Sequence, residues 1–428
     1  MKQRLTLYDK TVLFLMYWVI FQDFLLPLVY KYTGMASVTS VLFYLKDMLM
    51  IGLFVAAIFT KHINRRLFIC TLLYLVGFLV TFVITMLREV PLFTAMQSGR
   101  GMLLLPVFLC VGSAVSDKAV FRDTVIRKYL PVLLVSALFG VFDCVLDKLV
   151  GTKEFWRTGI GLTNFLTDIK KQEPYMIEGL PGNFYGSYGN DFFSVKRLVG
   201  FWAGPLTAAY SLLLPLLYYY VDLYPDLRTN IRTSRIRSCA VMLFLVVAIY
   251  LTKTRAILLL GLLMIGWHTI THYRKNTRFA SLAGISVVVL LLFIDYNALL
   301  RFLYDGSTLG HILSIFEAIK NIKLSLFGQG FAFVGIYGSV GSENTYLSLL
   351  GNMGIWGLGL FVFLLVRQIL LCGAAAKKGN AFDRAVFYTG IAMAISGMIS
   401  EQLTAFTTIV PIYILLGAVG SAKERESI

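Results

Sequence analysis

The sequence predicts an all-α polytopic membrane protein, and three observations lead to this prediction. Hydrophobic residues make up 58% of the 428 residues and charged residues only 14%, too few to cover a soluble core of this size. The apolar residues come in blocks of about 17–24, the length at which a helix crosses the hydrocarbon core of a bilayer. Because the backbone polar groups of a membrane segment must be satisfied within it, we expect these blocks to be helices.

The blocks predict about twelve transmembrane helices within a single integral membrane domain, residues 1–428. The predicted spans are 11–30, 36–59, 67–87, 101–115, 129–147, 200–221, 238–252, 255–271, 279–296, 346–366, 385–401 and 404–420. No small-residue cleavage site follows the first block, so it is predicted to be a span and not a removed signal peptide.

Short basic links indicate the orientation of the chain. Much of the net charge of +16 lies in links such as 61–66, 116–128, 226–237 and 272–278, all on the side of the N-terminus. Short basic loops remain in the cytoplasm, so both termini are predicted to be cytoplasmic. This distribution argues against nucleic acid as a partner. The five cysteines have neither metal-ligand spacing nor a disulfide pattern, so no metal site is predicted.

Two long links lie on the opposite face, at 148–199 and 297–345. Loops of this length in a compact protein usually have a function. Within the second, residues 307–327 show helical apolar spacing, which predicts an amphipathic helix on the membrane or over a cavity. The first is rich in aromatic residues that could stack on sugar rings or form an interfacial belt. These residues are Trp156, Tyr175, Phe184, Tyr185 and Tyr188.

Several cations stand at the predicted outer ends of spans. Arg100, Arg197 and Arg255 each open a span, Arg88 closes one, and Lys253 lies in a tight hairpin between two. Each could be an interfacial anchor whose charge reaches the headgroups. Several arginines on a face that should carry few positive charges favour a binding site instead, because guanidinium groups bind phosphate oxygens bidentately.

Acidic and amide groups complete the candidate residues. Glu343 and Asn344 precede a long apolar run, where a carboxylate is either favoured by the helix dipole alone or part of a site. Lys46 and Asp47 lie within a span and are interpreted as structural, Asp47 being able to pair with an arginine of another span.

Three segments, taken in order, resemble one superfamily. They are RLVGFWAGPLTAAYSLLLP from Arg197, LTKTRAILLLGLL from Leu251, and FGQGF followed by SENTYLSLLGNMGIWGLGLF from Ser342. They resemble the O-antigen ligase and Wzy-type O-antigen or capsule polymerase superfamily, mainly over residues 195–366. The resemblance implies a GT-C-like, multi-pass glycosyltransferase of the bacterial plasma (inner) membrane. Its site would face the outside or periplasm and would use a glycan linked through diphosphate to undecaprenol.

The resemblance also implies roles for residues. It implies that Arg197 and Arg255 hold the diphosphate. From the chemistry of the residues themselves, we expect Arg100 or Lys253 to assist them, and Glu343 to accept the proton of the attacking hydroxyl or to orient the acceptor. Asn344, Tyr346 and Arg88 are expected to bind substrate. Ligases carry a His-Asn pair where this chain has Glu343-Asn344, which favours a polymerase. No Asp-x-Asp motif is present, so a metal-independent enzyme without a cofactor is predicted.

Other functions remain open. A ligase differs from a polymerase only at Glu343. A lipid-linked oligosaccharide flippase or transporter would typically show two similar halves and broken helices. Enzymes using polyprenyl monophosphate commonly have acidic residues in the first outer loop, and none occurs in KYTGMAS here. Expected partners are the lipid-linked donor and acceptor, the bilayer, a chain-length regulator and a flippase.

Overall fold

A computed structural model of the protein describes most of the chain. The described residues are 5–60, 62–171, 176–186, 195–223, 232–272, 306–335, 338–378 and 380–424. The predicted span 279–296, Tyr175 and Tyr188 lie outside them.

The described residues are predominantly α-helical. The helices are α1 (Leu7–Thr33), α2 (Ala36–Phe59), α3 (Arg65–Leu87), α4 (Leu92–Ser113), α5 (Lys118–Thr124), α6 (Leu130–Val150), α7 (Leu162–Asp168), α8 (Pro205–Leu223), α9 (Arg232–Leu251), α10 (Arg255–His272), α11 (Gly306–Asn321), α12 (Thr345–Lys378), α13 (Ala381–Ser396) and α14 (Phe406–Glu424). A π-helical turn, Val125–Tyr129, joins α5 to α6. Short antiparallel pairs join β1 (Met176–Ile177) to β2 (Leu180–Pro181) and β3 (Tyr185–Gly186) to β4 (Val195–Lys196).

Within the described ranges, seven helices are long and apolar enough to cross a membrane. They are Leu7–Thr33, Ala36–Phe59, Arg65–Leu87, Leu92–Ser113, Lys118–Val150, Pro205–Leu223 and Thr345–Lys377. Shorter apolar helices cover Ile236–Leu251, Arg255–Thr271 and Phe406–Ser421. The predicted class, an all-α membrane protein, agrees with these helices.

Helices α4 and α14 cross at the centre of the bundle through glycine contacts. A Cβ at Gly112 would lie 2.0 Å from the Ile414 carbonyl oxygen, and one at Gly417 would lie 2.4 Å from that of Leu109. Small residues at such crossings let two backbones approach closely, which is the usual way in which membrane helices pack.

Contacts between elements define two ends of the bundle. At one, here called the linker end, the Tyr8 hydroxyl donates to the Val111 carbonyl and Asp9 accepts from the Ser116 N–H. At the other, here called the loop end, Lys31 donates to the Gly159 carbonyl at 2.7 Å. Both long loops reach the loop end.

Helix α4 begins nine residues before its predicted start. The prediction that Arg100 opens its span is therefore wrong, because Arg100 lies inside α4. Residues 92–99 are less apolar, but they pack on protein: the Ser98 hydroxyl accepts from the Ala332 N–H at 3.0 Å, and Gly99 faces the Phe331 ring. A hydropathy pattern does not register such contacts.

The first long loop folds back on the helices. Trp156, Phe165 and Phe184 are fully buried and form a second core with Leu26 of α1, against which Phe139 of α6 packs. Trp156 and Phe184 therefore neither stack on sugars nor form an interfacial belt. Their rings fix the loop to the loop end of the bundle.

The predicted amphipathic helix forms, but it ends at Asn321 instead of residue 327. Ile312, Phe316 and Ile319 leave their apolar side chains exposed, while Ala318 is buried. The chain then runs irregularly to a break in α12 at Gly354, whose φ of 69° and ψ of −164° are not helical.

Segment 325–330 fills the break in α12. Four backbone hydrogen bonds join it to 351–356, and they replace the bonds that an unbroken helix would make. The donors and acceptors are Ile355 N–H to Ser325 O, Trp356 N–H to Leu326 O, Gln329 N–H to Gly351 O, and Gly330 N–H to Asn352 O. Backbone that is not helical at membrane depth requires such internal satisfaction.

Candidate active site at the loop end

The structure brings Arg197, Lys253 and Arg255 together. Arg197 follows β4, and its Nε donates to the Thr252 carbonyl at 2.8 Å while Nη2 contacts the Thr254 hydroxyl at 3.4 Å. The neighbouring Leu198 N–H donates to the Leu251 carbonyl at 3.0 Å. Three predicted cations thus share one short stretch of adjoining backbone, which we call the arginine hairpin (197–198 with 251–255).

Two threonines close the turn of this hairpin. The Thr252 hydroxyl donates to the Ile249 carbonyl at 2.6 Å and accepts from the Thr254 N–H at 3.2 Å. Lys253 between them has a φ of 56°, and its ammonium lies 4.4 Å from the centre of the Tyr250 ring. Hydroxyl side chains commonly stabilise tight turns in this way. The sequence TKTR therefore ends α9 and begins α10 with Arg255.

A buried ion pair lies next to Arg197. The Lys196 ammonium is 3.0 Å from the Asp143 carboxylate and 2.9 Å from the Thr152 hydroxyl, and the two charged side chains are 1% and 3% exposed. Asp143 also accepts from the Trp156 indole. Burial lowers the pKa of Lys196, and Asp143 opposes this effect. Sequence reasoning missed this pair, for which the only signal was a lysine directly before Arg197.

Tyr185 adds a second link between the loop and α6. Its hydroxyl donates to Asp147 at 3.2 Å. Burial, followed by the charge of Asp147, raises the pKa of Tyr185, so its phenol remains protonated and able to donate. Strand β3, which carries Tyr185, pairs with β4, so this bond also supports the backbone that leads to Arg197.

Asn344 and Tyr346 make well-defined bonds within the protein. The Asn344 side-chain oxygen accepts from the N–H groups of Tyr346 and Leu347 at 2.9 and 3.0 Å, as an N-cap does, and its amide donates to the Met398 carbonyl at 2.6 Å. The Tyr346 hydroxyl donates to the Ala394 carbonyl. Glu343 precedes this cap with its side chain exposed. The substrate contacts of all three stay predictions.

The turn between α13 and α14, residues 397–405, links the candidate segments. Its Gly397 carbonyl accepts from the Thr345 N–H at 2.9 Å, beside the Glu343-Asn344 pair. A Cβ at Gly101 would lie 2.6 Å from the Thr404 carbonyl oxygen, so the turn also touches α4 next to Arg100.

The same turn carries a carboxylate that sequence reasoning missed. Glu401 lies against Gly335 of the second loop and is partly buried. In the sequence, Glu401 shows the same pattern that singled out Glu343, which is a carboxylate beside an apolar block on the predicted outer face.

Arg100 and Arg88 contact other elements than the arginine hairpin. Arg100 forms an ion pair with Asp47 of α2 at 3.2 Å, which confirms that Asp47 pairs with an arginine of another span. Arg88 donates to the Gln329 carbonyl, and its guanidinium lies 5.2 Å from the centre of the Phe333 ring. Among the described residues, no three His, Cys, Asp or Glu side chains come together as metal ligands.

Comparison with models of known protein families gives no match for this chain. Comparison with curated proteins gives none either. The site therefore has to be interpreted from its own geometry and chemistry.

Proposed function

We propose that the protein is a polysaccharide polymerase. It would transfer an undecaprenyl-diphosphate-linked glycan onto the repeat unit of another lipid-linked oligosaccharide at the outer face of the bacterial plasma membrane. The observation that carries the proposal is the arginine hairpin, in which Arg197 is bonded to the turn that bears Lys253 and Arg255. A twelve-span, GT-C-like arrangement with both termini cytoplasmic and the loop end outside belongs to the same proposal.

The hairpin suits a diphosphate leaving group. The acceptor hydroxyl attacks the anomeric carbon of the donor sugar, and the bond between that carbon and the diphosphate oxygen breaks. Arg197, Arg255 and Lys253 stabilise the negative charge that grows on the diphosphate, and their fixed positions mean that little reorganisation is needed during the reaction. This chemistry requires neither a metal nor a cofactor.

Glu343 accepts the proton of the attacking hydroxyl. A base of this kind contributes about 10²–10⁴-fold to a rate. Its place is supported by Asn344, which ties the start of α12 to the turn 397–405. The Thr408 hydroxyl of α14 donates to the Gln402 side chain of this turn at 2.8 Å and lies 3.3 Å from the Thr207 hydroxyl of α8, which follows the segment that carries Arg197.

Polymerisation in a purified system tests the proposal. The protein in detergent is incubated with undecaprenyl-diphosphate oligosaccharide alone, and the products are separated on a gel. We expect a ladder that weakens at least about 100-fold in Glu343→Gln and in Arg255→Gln, because base and leaving-group stabilisation are lost. Glu89→Gln and Arg66→Gln are matched controls, since both are exposed residues away from the hairpin.

The outcomes separate the alternatives. Full activity of Glu343→Gln would show that Glu343 is not the base. Full activity of Arg255→Gln would show that Arg255 does not stabilise the diphosphate leaving group. Transfer of the glycan only after lipid A core is added would mean that the protein is a ligase and not a polymerase. An unreacted donor under both conditions would favour a flippase.

A further inference from the structure

A second charged cluster is formed by side chains of α1, α2, α4 and the first long loop. Lys46 stands near the middle of α2 and is 2% exposed. Its ammonium donates to the Phe43 carbonyl at 2.7 Å and lies 3.5 Å from the centre of the Phe43 ring. An ammonium has three donors, so one carbonyl and one ring face satisfy it only in part.

The charged groups around Lys46 are Asp47, Arg100, Asp23 and Lys170. Asp47 is paired with Arg100 at 3.2 Å, and Asp23 with Lys170 at 2.8 Å. With Lys46 protonated, three cations and two carboxylates leave a charge of +1 among the described residues. We call this group the Lys46 cluster.

An uncompensated charge at membrane depth is expensive and usually functional. Both carboxylates near Lys46 are already engaged by other cations, so an additional anion would balance the cluster. Gln22, which precedes Asp23 in α1, is buried, and neither atom of its side-chain amide has a hydrogen-bond partner among the described residues. The Gln22 amide and part of the Lys46 ammonium are thus left without partners among the described residues.

The Arg100–Asp47 side of the cluster is accessible at the surface of the bundle, whereas Lys46 itself is 2% exposed. The side chains of Arg100 and Asp47 are 31% and 18% exposed, and Lys46 lies beside them. An anion that arrives at this depth is most readily the head group of a lipid, because the flanking apolar helix surfaces accept its hydrocarbon chain.

We propose that the Lys46 cluster binds the phosphate of a membrane lipid. Resting on the proposed function, that lipid is the acceptor substrate, whose own polyprenyl diphosphate has to be held while its glycan end attacks the donor. The turn 397–405 touches α4 beside Arg100, and Phe406 directly after it lies 6.0 Å from the Lys46 ammonium. Thr408, just after the turn, contacts Thr207 of α8, and α8 follows the segment that carries Arg197, so the turn would lie between the two lipid phosphates.

Lipid binding measured by native mass spectrometry tests this proposal without any enzymatic readout. The probes are undecaprenyl phosphate, phosphatidylglycerol and inorganic phosphate, each added to the protein in detergent. We expect undecaprenyl phosphate to bind at least about 10-fold more weakly to Lys46→Met, since one charge-assisted contact is lost. Lys10→Met is the matched control, an exposed lysine at the linker end.

A second variant makes the charge of the Lys46 cluster more positive. Asp47→Asn removes a carboxylate, and it should bind undecaprenyl phosphate more tightly than the wild-type protein. Lys170→Gln removes a cation of the cluster at a loop residue, and it should bind undecaprenyl phosphate more weakly. This variant tests the cluster even if Lys46→Met does not fold.

Unchanged affinity of folded Lys46→Met and Lys170→Gln would overturn the site. Equally tight, Lys46-dependent binding of phosphatidylglycerol would support a lipid-phosphate site and overturn its assignment to the acceptor. If inorganic phosphate were the only probe that bound, the assignment of the ligand as a lipid would be overturned. A protein that binds undecaprenyl phosphate in this way but forms no ladder would retain the site and lose the proposed function.

Discussion

The buried charges of Asp143 and Lys196 have specific partners. Asp143 and Lys196 are almost completely buried and are joined to Thr152 and Trp156 by hydrogen bonds. Two charges removed from water are costly to bury, and breaking such a pair leaves an uncompensated charge behind. Lys196 is the last residue of β4 and directly precedes Arg197. The Asp143–Lys196 pair therefore also orients the backbone that carries a candidate phosphate-binding residue.

Removal of one partner should therefore destabilise the protein strongly. We expect Asp143→Asn or Lys196→Met alone to lower the free energy of unfolding by about 3–5 kcal/mol. The double variant should lose less than the sum of the two. Denaturant unfolding in detergent, analysed as a double-mutant cycle, measures this coupling.

The exposed pair Arg157–Glu154, 2.6 Å apart, is the matched control. It should couple by less than about 1 kcal/mol, as surface pairs do. Equal coupling in both pairs would mean that the buried pair has no special role in stability.

At the scale of elements, the break in α12 is the most unusual feature. Discontinuous helices occur in transporters, where their free backbone groups bind ions or substrate. Here the backbone of 325–330 takes that place, so these groups are used within the protein. The break therefore anchors the second long loop to the bundle.

Only glycine suits the break. Gly354→Ala places a side chain at a φ of 69° and 2.3 Å from the Gly328 nitrogen. We expect a loss of about 3 kcal/mol or more in the free energy of unfolding, from backbone strain and displaced hydrogen bonds. Thermal unfolding in detergent measures it.

Gly359→Ala is the control in the same helix, because its Cβ would meet no atom within 4 Å. It should be neutral or stabilising by up to about 1 kcal/mol. If Gly354→Ala were as stable as Gly359→Ala, α12 would have to be continuous.

At the scale of the whole molecule, the two ends differ in what they carry. The linker end has short connections, whereas the loop end holds both long loops, the arginine hairpin and the turn 397–405. Helices α2 and α3 leave many apolar side chains exposed, such as Ile51 and Leu79, as lipid-facing helices do. The basic links predict that the linker end is cytoplasmic.

Single cysteines test this orientation. Gly341→Cys at the loop end and Arg65→Cys at the linker end are placed in a Cys239→Ser background, which removes the exposed native thiol. A membrane-impermeant maleimide applied to intact cells should label residue 341 but not residue 65. After lysis it should label both. The reverse pattern would place the candidate site in the cytoplasm and exclude the proposed polymerase.

The sequence alone determined the class of this protein. Length and hydropathy predict membrane helices because a bilayer constrains each segment separately, and the boundaries of α2 agree with the prediction. It also singled out Arg197, Lys253 and Arg255, which proved to be neighbours. Only the tertiary structure decided the pairs Asp143–Lys196 and Asp23–Lys170, the place of Arg100 inside α4, and the filling of the break at Gly354. Each depends on contacts between residues far apart in the chain, and no local pattern encodes which helices meet.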